Sequence, residues 1–474
     1  MNTEPTDYST PQSVAEIERD VEARSAVFKK ELGLFDLVLT QVVFVVGTFW
    51  VGWAARIGHE QNVFWILAIV TFYLPLAAAV IFLVRLMPLE GGLYQWSKLA
   101  FNDFVAFMVG WNLWVFAISI LAGTGLVVTT SISYAVGPRG AEMRGSSRVI
   151  MLISFVLVTT MVIAAMRGLA LGKWVHNVGG LVHMVTFTIL ILLPLVAVSQ
   201  VIAGEYRPFA LQFPTFSEYN INVASKLALG GLTGFEYIAI LAGETRAPAR
   251  NIGRSVMIST PIIALMFILG TSSVLAFVPR DRIDVIGPIP QVLSIGFQSL
   301  GWIGSIAILG ITVRTIALMS IYFAGNTRLP MVAGWDRLLP AWFSRLHPRY
   351  KTPINSILFV GAVTLVLGVL SLAGVHAQEA FQLIDNAGGI FYALTYLVLF
   401  AIPLFGMKAL GVKAPLWLKI ACASGFIVTL IYIRFAIVPI TEVGSPLSFA
   451  LKIIVTVLIA NAVGLAIYVL RKRK

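Results

Sequence analysis

The sequence predicts an all-α polytopic membrane protein with about twelve transmembrane helices. Hydrophobic residues make up 58% of the 474 residues and charged residues only 12%, which is too apolar for a soluble domain whose outer surface faces water. Apolar runs of about 18 or more residues, the length that crosses a bilayer as a helix, recur along the whole chain. These runs are continuous rather than alternating, which excludes a transmembrane barrel.

The positions of the predicted spans follow from the lengths of the apolar runs. They lie at 36–56, 63–86, 103–133, 148–166, 174–201, 222–243, 254–278, 302–328, 355–374, 380–405, 416–439 and 447–470. An even number of spans places both termini on one side of the membrane. Most of the 34 Lys and Arg residues then fall in loops on the side of the termini, so the positive-inside rule predicts that both termini are cytoplasmic. Three arginines in one short outer loop, Arg139, Arg144 and Arg148, run against this bias.

The sixth predicted span contains residues that disfavour a continuous helix. Residues 227–236 read LALGGLTGFE, with Gly230, Gly231, Thr233 and Gly234 inside a longer apolar run. Irregular backbone at membrane depth is tolerated only where it lines a polar cavity, so an unwound segment here would place a binding site between two half-helices. Close packing of helices through small residues is the alternative interpretation of the same glycines.

The first predicted span carries a matching interruption. Residues 45–53 read VVGTFWVGW, and Gly47, Thr48, Phe49 and Trp50 lie near the middle of the span. Because this span lies five spans before the sixth, the two interruptions occupy corresponding positions of two five-span halves, a pattern typical of inverted-repeat transporters. We therefore expect the residues of the two breaks to form a substrate site at the middle of the membrane.

Four further stretches of the chain have a distinctive sequence. They are ELGLFD before the first span, MPLEGGLYQW after the second, GFEYIAILAGETRAPARNIGRSV across the end of the sixth, and NTRLPMVAGWDRLLPAWFSRLHPRYKTPINS after the eighth. In this order they resemble the amino acid–polyamine–organocation permease superfamily. The resemblance implies a leucine-transporter-like fold of two five-helix inverted repeats followed by two further helices. It divides the chain into a cytoplasmic tail at 1–35, repeats at 36–201 and 202–405, and two helices with a basic cytoplasmic C-terminus at 406–474.

Three positions depart from the pattern of this superfamily, and one of them is Phe82, which replaces a glutamate common in its second span. The first-span break of the superfamily usually reads Gly, Ser or Ala, Gly, Ile, Phe, whereas Phe49 stands here in place of the second glycine. The aromatic residue that usually opens the sixth-span break is Gly230 in this chain. The changes at Phe49 and Gly230 lead to the hypothesis that side-chain bulk has moved from the sixth span to the first.

Four titratable residues within the predicted spans are candidates for a functional role. Arg314 lies near the middle of the eighth span, where a charge costs at least about 2.5–3.5 kcal/mol and needs a partner or water. We interpret it as a site for an anionic substrate group, as a fixed cation against the unwound first span, or as a structural ion pair with Glu236. His183 matches the position of a lysine that replaces a sodium ion in sodium-independent members of the resembled superfamily, so it is either a proton-coupling group or a neutral, hydrogen-bonded histidine. Lys226 is expected to snorkel to the outer interface.

The predicted function is secondary active transport of an amino acid or related amine across the cell membrane by alternating access. His183, Arg314 and Glu236 favour coupling to protons or to a counter-substrate rather than to sodium. The chain has no GxxxxGK[ST], HExxH or CxxC motif, so the sequence predicts neither an enzyme nor a cofactor or metal site. The formal charge of +12 is assigned to cytoplasmic loops rather than to nucleic-acid binding. A channel or a membrane enzyme without coupled transport is the alternative, and the sequence predicts no oligomeric state.

Overall fold

A computed structural model describes residues 33–87, 92–167, 172–234, 248–335, 342–343, 345–347, 350 and 352–471. All regular secondary structure in these residues is helical. Ten of the helices are long and apolar enough to cross a membrane, and they coincide with ten of the twelve predicted spans. The prediction of an all-α polytopic membrane protein is confirmed. The first and sixth predicted spans are the two that form no continuous helix of this length in the described part of the chain.

We number the spans from one to twelve in chain order. The ten spans other than the first and sixth form helices with these bounds: Gly58–Leu86, Asp103–Val136, Ser147–Met166, Gly172–Val196, Pro248–Phe277, Gly301–Trp335, Ile354–Ser371, Ala377–Ala401, Leu416–Ala436 and Pro446–Arg471. Shorter helices at Leu93–Ala100, Gly140–Gly145 and Pro288–Gly296 connect or flank them.

The first span is two helices, Leu34–Val45 and Trp50–Ala55, separated by a break at 46–49. Val46 leaves the helical region with φ −79° and ψ 86°. The N–H group of Gly47 then donates to Val45 at 2.9 Å, instead of to the carbonyl four residues earlier. Glycine and β-branched residues are weak helix formers, which makes this segment the easiest place in the span to unwind.

The sixth span begins as the helix Glu218–Lys226 and continues as one wide π-helical turn, Leu227–Gly231. Helical geometry is lost at Leu232, with φ −112° and ψ 29°. Gly234 follows with φ +104°, a conformation that only glycine adopts without strain. Glu236 and the rest of 235–247 lie outside the described residues. The helix therefore stops where the run of three glycines predicts an interruption.

The spans around these two breaks form the central bundle. The third span packs along both the eighth and the tenth, and the tenth also packs on the eleventh. The first half of the first span packs on the seventh. The twelfth span is largely exposed and lies at the periphery. The two breaks are thus surrounded by the third, eighth, tenth and eleventh spans.

The loop after the seventh span fixes the second half of the first span. The indole of Trp53 donates to the Val285 carbonyl at 3.0 Å. In the same loop, Asp284 accepts a hydrogen bond from the Tyr134 hydroxyl at 2.9 Å and lies 3.7 Å from Arg144. One of the three arginines that crowd the predicted outer loop therefore has an acidic partner across the bundle.

Candidate functional site

A cavity of about 200 Å³ lies between the two interrupted spans. Its walls come from the first, third, sixth, eighth, tenth and eleventh spans. Most of the residues predicted to form the site line it: Gly47, Thr48, Phe49, Trp50, Gly230, Thr233, Gly234 and Arg314. Gly231 does not line the cavity, because it packs against the indole rings of Trp65 and Trp50.

The indole of Trp50 fills the space beside the glycines of both breaks. A Cβ atom built on Gly230 would lie 2.8 Å or less from three atoms of this ring. A Cβ atom on Gly47 would lie 2.6 Å from Cδ1 of the same ring. Only glycine fits at these two positions while Trp50 keeps its place. The geometry supports the hypothesis that bulk has moved from the sixth span to the first.

An aromatic contact joins the first-span break to the tenth span. The ring of Phe49 lies 4.5 Å from that of Trp50 and 5.3 Å from that of Phe381, measured between centroids. The contact between Phe49 and Phe381 is edge-to-face, the arrangement that aromatic pairs prefer. The second glycine of the superfamily pattern is thus replaced by a side chain that closes one side of the cavity.

The backbone N–H groups of the two breaks differ in their hydrogen bonds. Among the described residues, the N–H groups of Thr48 and Phe49 donate to no backbone carbonyl. In the sixth span, the N–H group of Gly234 donates to the Tyr396 hydroxyl at 3.3 Å, and the Thr233 hydroxyl donates to the Gly230 carbonyl at 3.3 Å. The first break leaves donors available to a ligand, whereas the sixth is held partly by the tenth span.

Arg314 is buried in the cavity wall and binds the end of the first half-helix. Its Nη2 atom donates to the Val43 carbonyl at 3.3 Å. In a continuous helix this carbonyl would accept the N–H group of Gly47, which donates to Val45 instead. The guanidinium therefore satisfies a carbonyl that the break leaves open, at the negative end of the half-helix.

His183 lies beside Arg314 rather than in the cavity lining. Its side chain is 1% exposed, and its ring centroid lies 4.9 Å from that of Phe187. Neither ring nitrogen makes a hydrogen bond to the described residues, although the backbone of Val46 lies near the ring and the charge of Arg314 acts on it. The two predicted roles of His183, a proton-coupling group and a neutral hydrogen-bonded histidine, both stay predictions.

Lys226 is fully buried, so the prediction that it snorkels to the interface is wrong. Its ammonium donates to the side-chain oxygen of Asn222 and to the carbonyls of Phe435 at 3.2 Å and Val438 at 3.1 Å. These carbonyls lie at the end of the eleventh-span helix, where backbone acceptors lack helical partners. They provide a polar environment inside the bundle that the sequence of the sixth span does not reveal.

Asp385 is a site residue that the sequence reasoning missed. It lies in the tenth span and lines the cavity. Its charge acts on Lys226 and on Tyr432, but it makes no hydrogen bond or ion pair within 4.0 Å with the described residues. One feature of the sequence could have identified it. Asp385 is the single carboxylate inside the apolar run 380–405, and an acid within a membrane span indicates a functional position.

The family model for amino acid permeases matches residues 32–459. The chain belongs to this family. The permease is 24% identical over 389 residues to the branched-chain amino acid permease BcaP of Bacillus subtilis. The aligned residues cover 76% of this chain and 80% of the relative. The permease is 25% identical over 382 residues to an uncharacterized transporter of Legionella pneumophila, with coverage of 79% and 80%. The methylthioribose transporter of Bacillus subtilis is 24% identical over 397 residues, with coverage of 77% and 82%.

A solved structure with the same fold agrees with the arrangement of the spans. The permease superposes with a TM-score of 0.61 on the crystal structure of MhsT in complex with L-phenylalanine, covering 86% of this chain and 99% of that chain. The two sequences are 14% identical, so the likeness concerns the fold. It confirms the prediction of a leucine-transporter-like bundle for the permease.

Proposed function

We propose that this permease moves an amino acid or related amine across the membrane by alternating access. The observation that carries the proposal is the cavity between the two interrupted spans, with Trp50 and Gly230 in contact across it. Rocking of one five-span repeat against the other around this cavity would open it to one side of the membrane at a time. The repeats 36–201 and 202–405 are the units that would move, with both termini in the cytoplasm.

The cavity suits a small solute that has a polar group with a carboxylate at one end and an apolar side chain at the other. The N–H groups of Thr48 and Phe49, which donate to no backbone carbonyl among the described residues, can donate hydrogen bonds to a substrate carboxylate, and the charge of Arg314 favours an anion nearby. The rest of the lining is mostly apolar and aromatic, including Phe49, Trp50 and Phe116. Among the relatives, BcaP is named for branched-chain amino acids, whose side chains would fit such walls.

Coupling to protons or to a counter-substrate is favoured over coupling to sodium. Arg314 already holds a positive charge against the Val43 carbonyl, where a dissolved cation would otherwise neutralise the end of the half-helix. His183 lies next to this charge and has no hydrogen bond within the described residues. Because Coulomb repulsion opposes two cations here, protonation of His183 would favour a conformation in which the two side chains separate.

Transport assays in proteoliposomes test the proposal. Purified permease is reconstituted, and uptake of radiolabelled L-leucine, L-phenylalanine and L-lysine is measured with and without the unlabelled compound inside. We expect saturable uptake that internal substrate accelerates and that replacement of sodium by choline leaves unchanged. Flux that does not saturate would indicate a channel. Uptake of methylthioribose without uptake of any amine would contradict an amine substrate.

A further inference from the structure

Asp385 is an acid on the cavity surface whose charge is not paired directly. It belongs to the wall that the tenth span contributes, together with Phe381 one turn before it and Gly388 and Gly389 after it. Its side chain has no hydrogen bond and no ion pair within 4.0 Å among the described residues. A carboxylate removed from bulk water is costly unless it is paired, so this position calls for a positive partner.

Lys226 is the cation whose charge acts on Asp385, and its hydrogen-bond donors are already used. An ammonium has three N–H donors, and those of Lys226 go to Asn222, Phe435 and Val438. Lys226 is completely buried and is absent from the cavity lining. It can attract Asp385 through space, but it offers no further hydrogen bond to the carboxylate. Within the described part of the chain, the two carboxylate oxygens of Asp385 are therefore available to a group inside the cavity.

The position of Asp385 relative to the breaks suits a ligand held between them. Phe381, one helical turn away, packs on Phe49 in the first-span break. Lys226, on which the charge of Asp385 acts, directly precedes the π-helical turn that ends the sixth-span helix. Arg314 contributes the opposite charge from the eighth-span wall. The described lining therefore carries one cation and one anion, a pattern complementary to a zwitterion.

We propose that Asp385 binds the ammonium group of the transported solute, and that the permease accepts only solutes with a cationic amine. This proposal rests on the proposed function and specifies its substrate class. A solute without an amine would leave the carboxylate buried and unpaired when the cavity closes, and this penalty would exclude it. Among the chemistries named for relatives, amino acids satisfy this requirement and a sugar thioether does not.

Binding to the purified full-length permease tests the role of Asp385. Isothermal titration is performed with L-leucine, L-phenylalanine and L-lysine, with the matching amines isopentylamine and 2-phenylethylamine, and with the amine-free acids 4-methylpentanoate and 3-phenylpropanoate. We expect wild-type protein to bind ligands that carry an amine. Asp385→Asn should weaken their binding by about 10- to 100-fold, since a hydrogen bond to a charged group is worth about 1.5–3 kcal/mol.

Two further variants separate ligand binding from a structural role. Glu379→Gln removes another buried acid of the same helix, which binds the Gly444 amide and does not line the cavity, and it should leave amine binding within about twofold of wild type. Asp385→Asn combined with Lys226→Met removes both charges, so it should fold even if the single variant is unstable. If Asp385 serves only to neutralise the charge of Lys226, the double variant will bind amines as tightly as wild type does. That result would overturn the proposal.

The outcomes distinguish this proposal from the proposed function. If amines bind equally well to wild type and to Asp385→Asn, only the role of Asp385 is lost. Binding of the amine-free acids as tightly as the amino acids would also overturn it. If wild-type permease binds none of the amines, both proposals fall together.

Discussion

The indole ring of Trp50 in the first span packs against the backbone of Gly230 in the sixth span, where a side chain would leave no room for the ring. Because a Cβ atom at Gly230 would overlap this ring, we expect Gly230→Ala to displace Trp50 and reduce transport strongly. Overpacking of this kind costs about 1–3 kcal/mol of stability. Uptake and the melting temperature are the measurements.

A double variant checks that the effect comes from this contact. Trp50→Ala makes room for the new methyl group, so Gly230→Ala should be much less harmful in the Trp50→Ala background than alone. Gly325→Ala, in a helix with open space around the added atom, is the control. Additive losses in the double variant would show that the two residues act independently.

Arg314 stabilises the broken end of the first half-helix through the Val43 carbonyl. We predict that Arg314→Gln lowers the rate of uptake at least about tenfold, because it leaves that carbonyl unpaired and removes the only cation of the described lining. Arg314→Lys keeps the charge and should retain more uptake. Arg434→Gln, at an exposed end of the eleventh span, serves as the control for general loss of a positive charge. Normal uptake by Arg314→Gln would refute both functional roles of the arginine.

His183 is expected to make transport sensitive to pH. Burial and the charge of Arg314 both oppose a positive charge on His183 in this conformation, so proton uptake by the ring requires a conformation in which the two side chains are apart. We predict that His183→Gln flattens the dependence of uptake on pH between about 5.5 and 7.5. His59→Gln removes a histidine at the start of the second span, 2.9 Å from Glu205, and should leave the pH profile intact. A wild-type profile in His183→Gln would reduce the histidine to a packing role.

Gly425 lets the eleventh span approach the tenth. A Cβ atom at this position would lie 2.7 Å or less from three ring atoms of Phe400. Gly425→Ala should therefore destabilise the permease by about 1–3 kcal/mol, seen as a lower melting temperature in detergent. Gly325→Ala is again the matched helical control and should leave the melting temperature unchanged. Equal melting temperatures for both variants would mean that Phe400 can move aside freely.

The sequence predicts the spans and the two breaks well because both follow from local rules. The bilayer sets the length of an apolar helix, and ten predicted spans coincide with continuous helices. Glycine and β-branched residues mark where a helix unwinds, and the first and sixth spans are interrupted at Gly47 and after Gly231. Here a short stretch of chain contains the information that decides the structure.

The polar interior was harder to predict because its contacts join distant parts of the chain. The burial of Lys226 depends on carbonyls of Phe435 and Val438, more than two hundred residues later. Asp385 becomes a site residue only because the tenth span faces both breaks. The sequence shows which charged residues lie inside apolar runs, but packing sets the side of the helix that each of them occupies.

The bond between Arg314 and Val43 has a consequence for the conditions under which the permease can work. The guanidinium is covalently attached to the chain. Unlike a dissolved cation, it does not leave the site when the salt concentration falls. The positive charge at the negative end of the first half-helix is therefore the same at low and at high salt concentration. If the proposed function is correct, uptake is therefore expected to be the same at low and at high sodium concentration.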